Sequence, residues 1–263
     1  MPIIDADGCP IQVEVEGEAG RPVLMLSNSL GTDLRMWDGQ AAALASRFRL
    51  VRYDQRGHGR SGAPRGPYTM ERLGRDALAV MDALGLARVH WCGLSMGGMA
   101  GTWLAAQAPA RIGRLILSNT TVHYSDKKLW DERIRAVRAA GGLAPLADRL
   151  LALWFTNDFR AREPATVERM REMLTASPLE GYLGCCEAIR DMDHRPLLAK
   201  ISAPTLIIAG RHDQATPLAV AQFMHERIAG SQLAVLEAAH ISNIEQREAY
   251  TEAVLTFLAE PAE

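Results

Sequence analysis

The run Gly93-Leu94-Ser95-Met96-Gly97, followed at once by Gly98, constrains this chain more than any other stretch. Residues 89–92 ahead of it read as a strand. Residues 95–108 behind it have helical spacing and stop before Pro109. A serine between a strand and a helix, flanked by glycines, fits a sharp turn where neighbouring backbones cross so closely that only small residues are tolerated. The turn also lifts the hydroxyl onto a helix N-terminus, where the dipole favours developing negative charge. A bare Gly-x-Ser-x-Gly arises often by chance, and a glycine-rich turn with an incidental serine is the plain alternative. The strand before and the helix after point instead to Ser95 as a nucleophile.

The rest of the chain supplies a framework for such a turn. Short apolar runs predict strands over 11–15, 23–27, 50–53, 89–92 and 115–118. Between them, helical spacing predicts helices over 34–48, 70–84 and 95–108, the second stopped by Gly85. This alternation predicts the α/β class, a mostly parallel sheet with helices on both faces. From about 120 to 198 no strand pattern is visible, and Arg, Ala, Leu and Met recur at helical spacing. The sheet pattern resumes over 204–209, followed by a helix over 217–228, a strand over 233–236 and a closing helix over 244–258. The expected organisation is therefore an α/β core of residues 1–119 and 199–263, with a helical lid of residues 120–198 over the carboxyl edge of the sheet. A chain of 263 residues, 48% of them hydrophobic, can bury a core of that size.

Composition narrows the classes of function. A net charge of -2 without a basic block gives no footprint for nucleic acid. No apolar run approaches the length that spans a bilayer. Residues 1–8 carry Asp5 and Asp7 and no basic-then-apolar leader, so export is not expected. Cys9, Cys92, Cys185 and Cys186 fit neither a zinc site nor a disulfide scaffold, and adjacent cysteines such as Cys185 and Cys186 rarely pair with each other. Reduced thiols and a cytoplasmic location are the expectation.

Three segments carry a family resemblance. Ser-Asn-Ser-Leu-Gly at 27–31, Asp54-Gln55-Arg56-Gly57-His58-Gly59-Arg60-Ser61, and the Ser95 turn together resemble the α/β-hydrolase superfamily, over nearly the whole chain. In that fold the order along the chain is nucleophile, acid, histidine. The resemblance implies Asp213, after the strand at 204–209, as the acid and His240, after the strand at 233–236, as the base. Both then lie on the sheet edge that carries Ser95, where open α/β sheets place their sites. His240 would take the Ser95 proton, and Asp213 would fix its tautomer. A turn-forming aspartate is the plain alternative for Asp213. Of the other histidines, His58 is expected to hold its glycine turn together, His90 to pack and His225 to be solvated. His212 is expected to point away from the site, and His123 and His194 stand at the lid margins within reach of a ligand. For the oxyanion, the resemblance implies the backbone N–H groups of Met96 and of Leu30, with Ser29 as the alternative to Leu30. The His-Gly pair usual in relatives is here Asn28-Ser29.

A serine at the turn excludes relatives that use an aspartate there, such as haloalkane dehalogenases and epoxide hydrolases. Residues 27–38 (Ser-Asn-Ser-Leu-Gly-Thr-Asp-Leu-Arg-Met-Trp-Asp), the 54–59 loop and the lid run Tyr182-Leu183-Gly184-Cys185-Cys186-Glu187-Ala188-Ile189-Arg190-Asp191-Met192-Asp193 resemble the 3-oxoadipate enol-lactonases. Trp130-Asp131-Glu132-Arg133 and Trp154-Phe155 look like lid segments of the same group. The resemblance implies a small lactone substrate carrying a carboxylate, and a reaction needing no metal or organic cofactor. A carboxylate calls for a cation, and Arg133 is the candidate, a solvated helix arginine being the alternative. Trp130 and Trp154 would line the pocket or simply join lid to core. Cys185 and Cys186 are expected to be small packing. Three competing readings stay open: a carboxylesterase or perhydrolase, a carbon–carbon bond hydrolase, and a hydrolase-like ligand-binding protein without turnover. Oligomeric state is not legible.

Overall fold

The computed structural model describes residues 2–259. Eight strands form one sheet: β1 (Ile3–Ala6), β2 (Cys9–Glu16), β3 (Val23–Ser27), β4 (Arg49–Tyr53), β5 (Val89–Leu94), β6 (Ile112–Ser118), β7 (Thr205–Gly210) and β8 (Gln232–Leu236), in the spatial order β1-β2-β4-β3-β5-β6-β7-β8. Pairing is antiparallel at β1–β2 and β2–β4 and parallel from β4 onward. The central strands are runs of buried apolar residues because both faces of a parallel sheet are covered. Adjacent residues of β5 show this directly. Trp91 donates its indole N–H to the Gly97 carbonyl, 3.1 Å away, on one face. Cys92 meets the Tyr250 hydroxyl on the other, at 3.4 Å.

The connecting helices are α1 (Asp38–Ala45), α2 (Met70–Ala83) and α3 (Met96–Gln107) in the first half, and α9 (Leu218–His225), α10 (Ser242–Glu245) and α11 (Arg247–Ala259) at the end. Helix α2 begins where the Thr69 hydroxyl accepts the Arg72 N–H at 3.0 Å, buries Leu73, Ala77, Val80 and Met81, and ends before Gly85, whose φ is +66°. Between β6 and β7 the chain passes through α4 (Lys128–Ala140), α5 (Ala147–Trp154), α6 (Asn157–Arg162), α7 (Pro164–Thr175) and α8 (Leu179–Asp191), with no strand among them.

Four details differ from the sequence reading. Strand β1 was not anticipated, because four residues are too short for a period-two signal. Residues 34–48 are not one helix: a 3-10 turn over Leu34–Trp37, capped by the Asp33 side chain, precedes α1, which stops at Ala45 so that Phe48 can turn inward toward β4. Strand β6 starts three residues early, since Gly113 and Arg114 interrupt the apolar run. The closing helix is broken at Gln246, whose backbone leaves the helical region (φ -125°, ψ 54°) while its side chain donates to the Glu237 carbonyl.

The loop after β4 is anchored by a buried ion pair. Arg56 donates Nε and Nη2 to the two Asp76 oxygens on α2, both at 2.7 Å, and Asp76 is 1% exposed. Removing one member leaves the other charge buried and uncompensated. Asp76→Ala is therefore expected to cost about 3–5 kcal/mol, measured as a lower urea midpoint with an unchanged slope.

Candidate active site

The site is built at the carboxyl ends of β5, β6, β7 and β8. Ser95 takes φ 54°, ψ -112°, a region that costs a non-glycine residue about 1–3 kcal/mol. Its neighbours enforce that conformation. The Ser95 N–H donates to the Ser118 carbonyl (2.9 Å), and the Ser95 carbonyl accepts from the Met99 N–H (3.0 Å) and the Thr120 hydroxyl (2.7 Å). A Cβ on Gly93 would lie 2.1 Å from the Gly97 carbonyl oxygen, and one on Gly97 2.2 Å from that of Ser27. The flanking glycines of the motif are thus demanded by backbone contact.

Asp213 follows β7 and His240 follows β8, and the structure brings them together. His240 Nδ1 lies 2.9 Å from Asp213 Oδ2. The other donors to the carboxylate are all from its surroundings: Ala215 N–H (2.8 Å) and Thr216 N–H (2.9 Å) to Oδ1, and the Thr216 hydroxyl (2.7 Å) and Asn119 Nδ2 (3.0 Å) to Oδ2. Burial alone would raise the Asp213 carboxyl, but the His240 charge and the bonds from His240 and Thr216 outweigh it and hold the group below the usual carboxylate range. An ionised Asp213 keeps the imidazole proton on Nδ1 and leaves Nε2 free to accept.

Asn119 carried no expectation from sequence. It follows β6 directly with φ +44°, bonds Asp213 and the Ala239 carbonyl (3.1 Å), and accepts the Ser242 hydroxyl at 2.5 Å. Its only signal in the sequence is its place, a polar residue at the carboxyl end of a central strand.

Ser95 and His240 line one cavity of about 380 Å³, a usual size for a small-molecule site. Among the described residues no hydrogen bond joins their side chains, a looseness common in unliganded sites. Leu30, Trp130, Arg133 and Trp154 line the same cavity, as do Tyr124, Gln214 and Arg149, which the sequence reading did not single out. Arg133 lies 4.7 Å above the Trp130 ring and makes no ion pair among the described residues. His123 and His194 do not line the cavity: His123 bridges to Asp193, and burial lowers His194 to about 4. His212 pairs with Glu237 at the surface, His225 is exposed and His90 packs on Phe48. Cys9, Cys92, Cys185 and Cys186 are free and buried.

The loop after β3 presents its backbone to this cavity. The Ser29 N–H is directed at Met36 Sδ (3.4 Å), that of Gly31 donates to His58 Nε2 (2.9 Å), and that of Thr32 to the Ser29 carbonyl (3.2 Å). The N–H groups of Leu30 and of Met96, the first residue of α3, have no partner among the described residues. Asn28 replaces the usual histidine by holding the loop: it donates to the Tyr53 carbonyl and accepts the Trp37 indole N–H, both at 2.9 Å. His58 does more than close its own turn, since it also fixes Gly31.

Residues 22–246 match the model of the alpha/beta hydrolase fold family. This chain belongs to that family. It is 44% identical to 3-oxoadipate enol-lactonase 2 of Acinetobacter baylyi over 90% of this chain and 89% of the relative. It is 30% identical to a putative carbamate hydrolase, RutD, of Caulobacter segnis over 96% and 97% of the two chains. The crystal structure of the enol-lactonase from Burkholderia xenovorans superposes with a TM-score of 0.96 at 44% identity, covering 98% of this chain and all of that one (100%). Within the α/β hydrolases the chain therefore groups with the enol-lactonases. Among the described residues no group of three or more His, Cys, Asp or Glu could hold a metal, and no helix is long and apolar enough to cross a membrane.

The His58 contact makes stability depend on pH in this hydrolase. Burial lowers its folded pKa from 6.5 to about 4, so the unfolded chain binds the extra proton between those values. The contribution is whole above pH 6.5 and is lost as pH falls toward 4. It amounts to about 3 kcal/mol. The stability advantage of wild type over His58→Asn, from urea unfolding, should shrink by about that amount between pH 7 and 4. A difference independent of pH would contradict the neutral buried imidazole.

Proposed function

We propose that this chain is a serine hydrolase that opens 3-oxoadipate enol-lactone to 3-oxoadipate, the step of aromatic-acid breakdown after which its relatives are named. The observation that carries the substrate is one cavity holding Ser95, His240 and an arginine, Arg133, without a carboxylate partner. The 44% identity to enol-lactonases over nearly the full length supports the same reading.

The chemistry follows from the side chains. Ser95 Oγ attacks the lactone carbonyl while His240 Nε2 takes its proton. Asp213, held by its other donors, stabilises the imidazolium. The carbonyl oxygen becomes an oxyanion and receives the free N–H groups of Leu30 and Met96. Ser29 is set aside, because its N–H is engaged by Met36. The ring C–O bond breaks, and His240 gives its proton to the departing enolate, at oxygen or at carbon, which returns the imidazole to its neutral form. Water, deprotonated by His240, then attacks the acyl group and frees Ser95, so that one water is consumed and a second carboxylate is made. No step calls for a metal or an organic cofactor. The substrate's own carboxylate pairs with Arg133, and Trp130 and Trp154 wall the ring. In this reading residues 120–198 serve as the lid over a core of 1–119 and 199–263, and the buried free thiols fit a cytoplasmic enzyme. A carboxylesterase acting on neutral esters would leave Arg133 in the cavity without a role.

Ring opening followed by the fall in ultraviolet absorbance, beside nitrophenyl esters, tests the proposal. Turnover should favour the lactone strongly and vanish in Ser95→Ala. Activity on esters alone would overturn the substrate, and wild-type activity in Ser95→Ala would overturn the mechanism. Arg133→Ala should raise KM for the lactone about tenfold or more while leaving neutral esters little changed, as loss of a charge-assisted pair implies. Equal effects on both would remove Arg133 from carboxylate binding.

A further inference from the structure

Glu245, the last residue of α10, is a buried carboxylate that the chemistry above does not use. It is 8% exposed and makes no ion pair among the described residues. Every group around it donates. Its Oε2 accepts the Ala239 N–H at 2.9 Å. The Thr156 N–H reaches both oxygens, at 3.3 and 3.4 Å, and the Thr156 hydroxyl bonds Oε1. A carboxylate is the one side chain with acceptors only at both positions, whereas an amide would set its NH2 against N–H groups. A buried charge without a counter-ion is tolerated only where such bonds compensate its lost hydration.

The partners tie two separate parts of the molecule together. Ala239 precedes His240, and Thr156 follows α5, whose last residue, Trp154, lines the cavity. On the other side of His240, the Ile241 N–H donates directly to the Trp154 carbonyl at 3.0 Å. Both neighbours of the histidine are thus bonded to residues 154–156, one through Glu245 and one directly. The Ala239 carbonyl is held from the core by Asn119.

We infer that Glu245 is a positioning residue that couples Trp154 in the cavity wall, through Thr156, to the placement of His240. The inference rests on His240 being the base. Substrate packed against Trp154 then bears, through Thr156 and Glu245, on the imidazole that takes the Ser95 proton, and ångström-scale misplacement there slows chemistry more than it weakens binding.

The test is a double-mutant cycle of Glu245→Gln and Thr156→Ala, read as kcat and KM separately on the lactone, with thermal melts and Ser95→Ala alongside. Each single variant is expected to lower kcat about tenfold with KM changed less than about twofold, and the double variant to be no slower than the worse single. Thr156→Ser, which keeps the hydroxyl, should restore kcat. Thr156 also caps α6 by accepting the Phe159 N–H at 3.2 Å. A lost cap alone would add to the Glu245→Gln effect, so additivity overturns the coupling. Wild-type kcat in both singles, or losses confined to KM, overturns it too. If Glu245→Gln fails to fold, Thr156→Ala decides through the split of its kinetics: lowered kcat at unchanged KM supports the coupling, and wild-type kcat or a loss confined to KM overturns it. Should Ser95→Ala keep activity, the reading of the site itself fails, an outcome distinct from wild-type rates in the other variants.

Discussion

A side chain on Gly97 would stand 2.2 Å from the Ser27 carbonyl oxygen, and that close crossing of α3 over β3 governs the catalytic edge. Because the two backbones touch, the Gly97 N–H can donate to the Asn28 carbonyl at 3.0 Å, which binds the loop after β3 to the turn after β5. Ser95 is forced to positive φ, its N–H is sent to Ser118 on β6, and its hydroxyl is left at the start of a helix. One steric constraint therefore sets Ser95, the loop carrying the Leu30 N–H and the register with β6 together. The strain at Ser95 persists because three backbone segments over-determine it.

Three buried carboxylates show how differently charge is managed near that edge. At Asp213 burial is outweighed by the His240 charge and by the bonds from His240 and Thr216, which hold it below the usual carboxylate range. Asp54 accepts only the backbone N–H groups of Leu34 and Arg60, both at 2.8 Å, and burial dominates, pushing it up to about 6. Glu245 has donors alone and joins two loops. Among these three only Asp213 faces an imidazole, and the charge of that imidazole is the largest influence lowering its carboxyl.

The elements legible in the sequence were those whose signal is local. The strands at 23–27 and 50–53, the helix capped by Thr69 and ended at Gly85, and the glycine turn at Ser95 each follow from short-range pattern or steric need. Asp213 and His240 were legible through family order, since no local feature distinguishes them from Asp193 or His194. Asn119 and Glu245 were invisible because their roles come from residues far away in the chain: Asn119 meets Asp213 across 94 positions, and Glu245 meets Thr156 across 89. Such pairs exist only once β6, β7 and β8 lie side by side. The break at Gln246 was hidden for the same reason, as its amide bonds a carbonyl beyond its own helix.

The helical residues between β6 and β7 carry a different kind of information. On the sheet edge Asn28 is bonded by Tyr53, Trp37 and Gln55, and Asp213 by its donors. On the helices Arg133 keeps its charge over Trp130 without a carboxylate, although arginines elsewhere on α4 and α8, such as Arg138 and Arg190, are paired. Arg133 is set against Trp130 and Tyr182 rather than against a carboxylate, and these surroundings favour its charged form. In the proposed function, selectivity for a carboxylated lactone resides in the helices and the bond-making groups reside in the sheet edge. The hydrogen bonds of Glu245 and Ile241 to residues 154–156 are where those two parts meet.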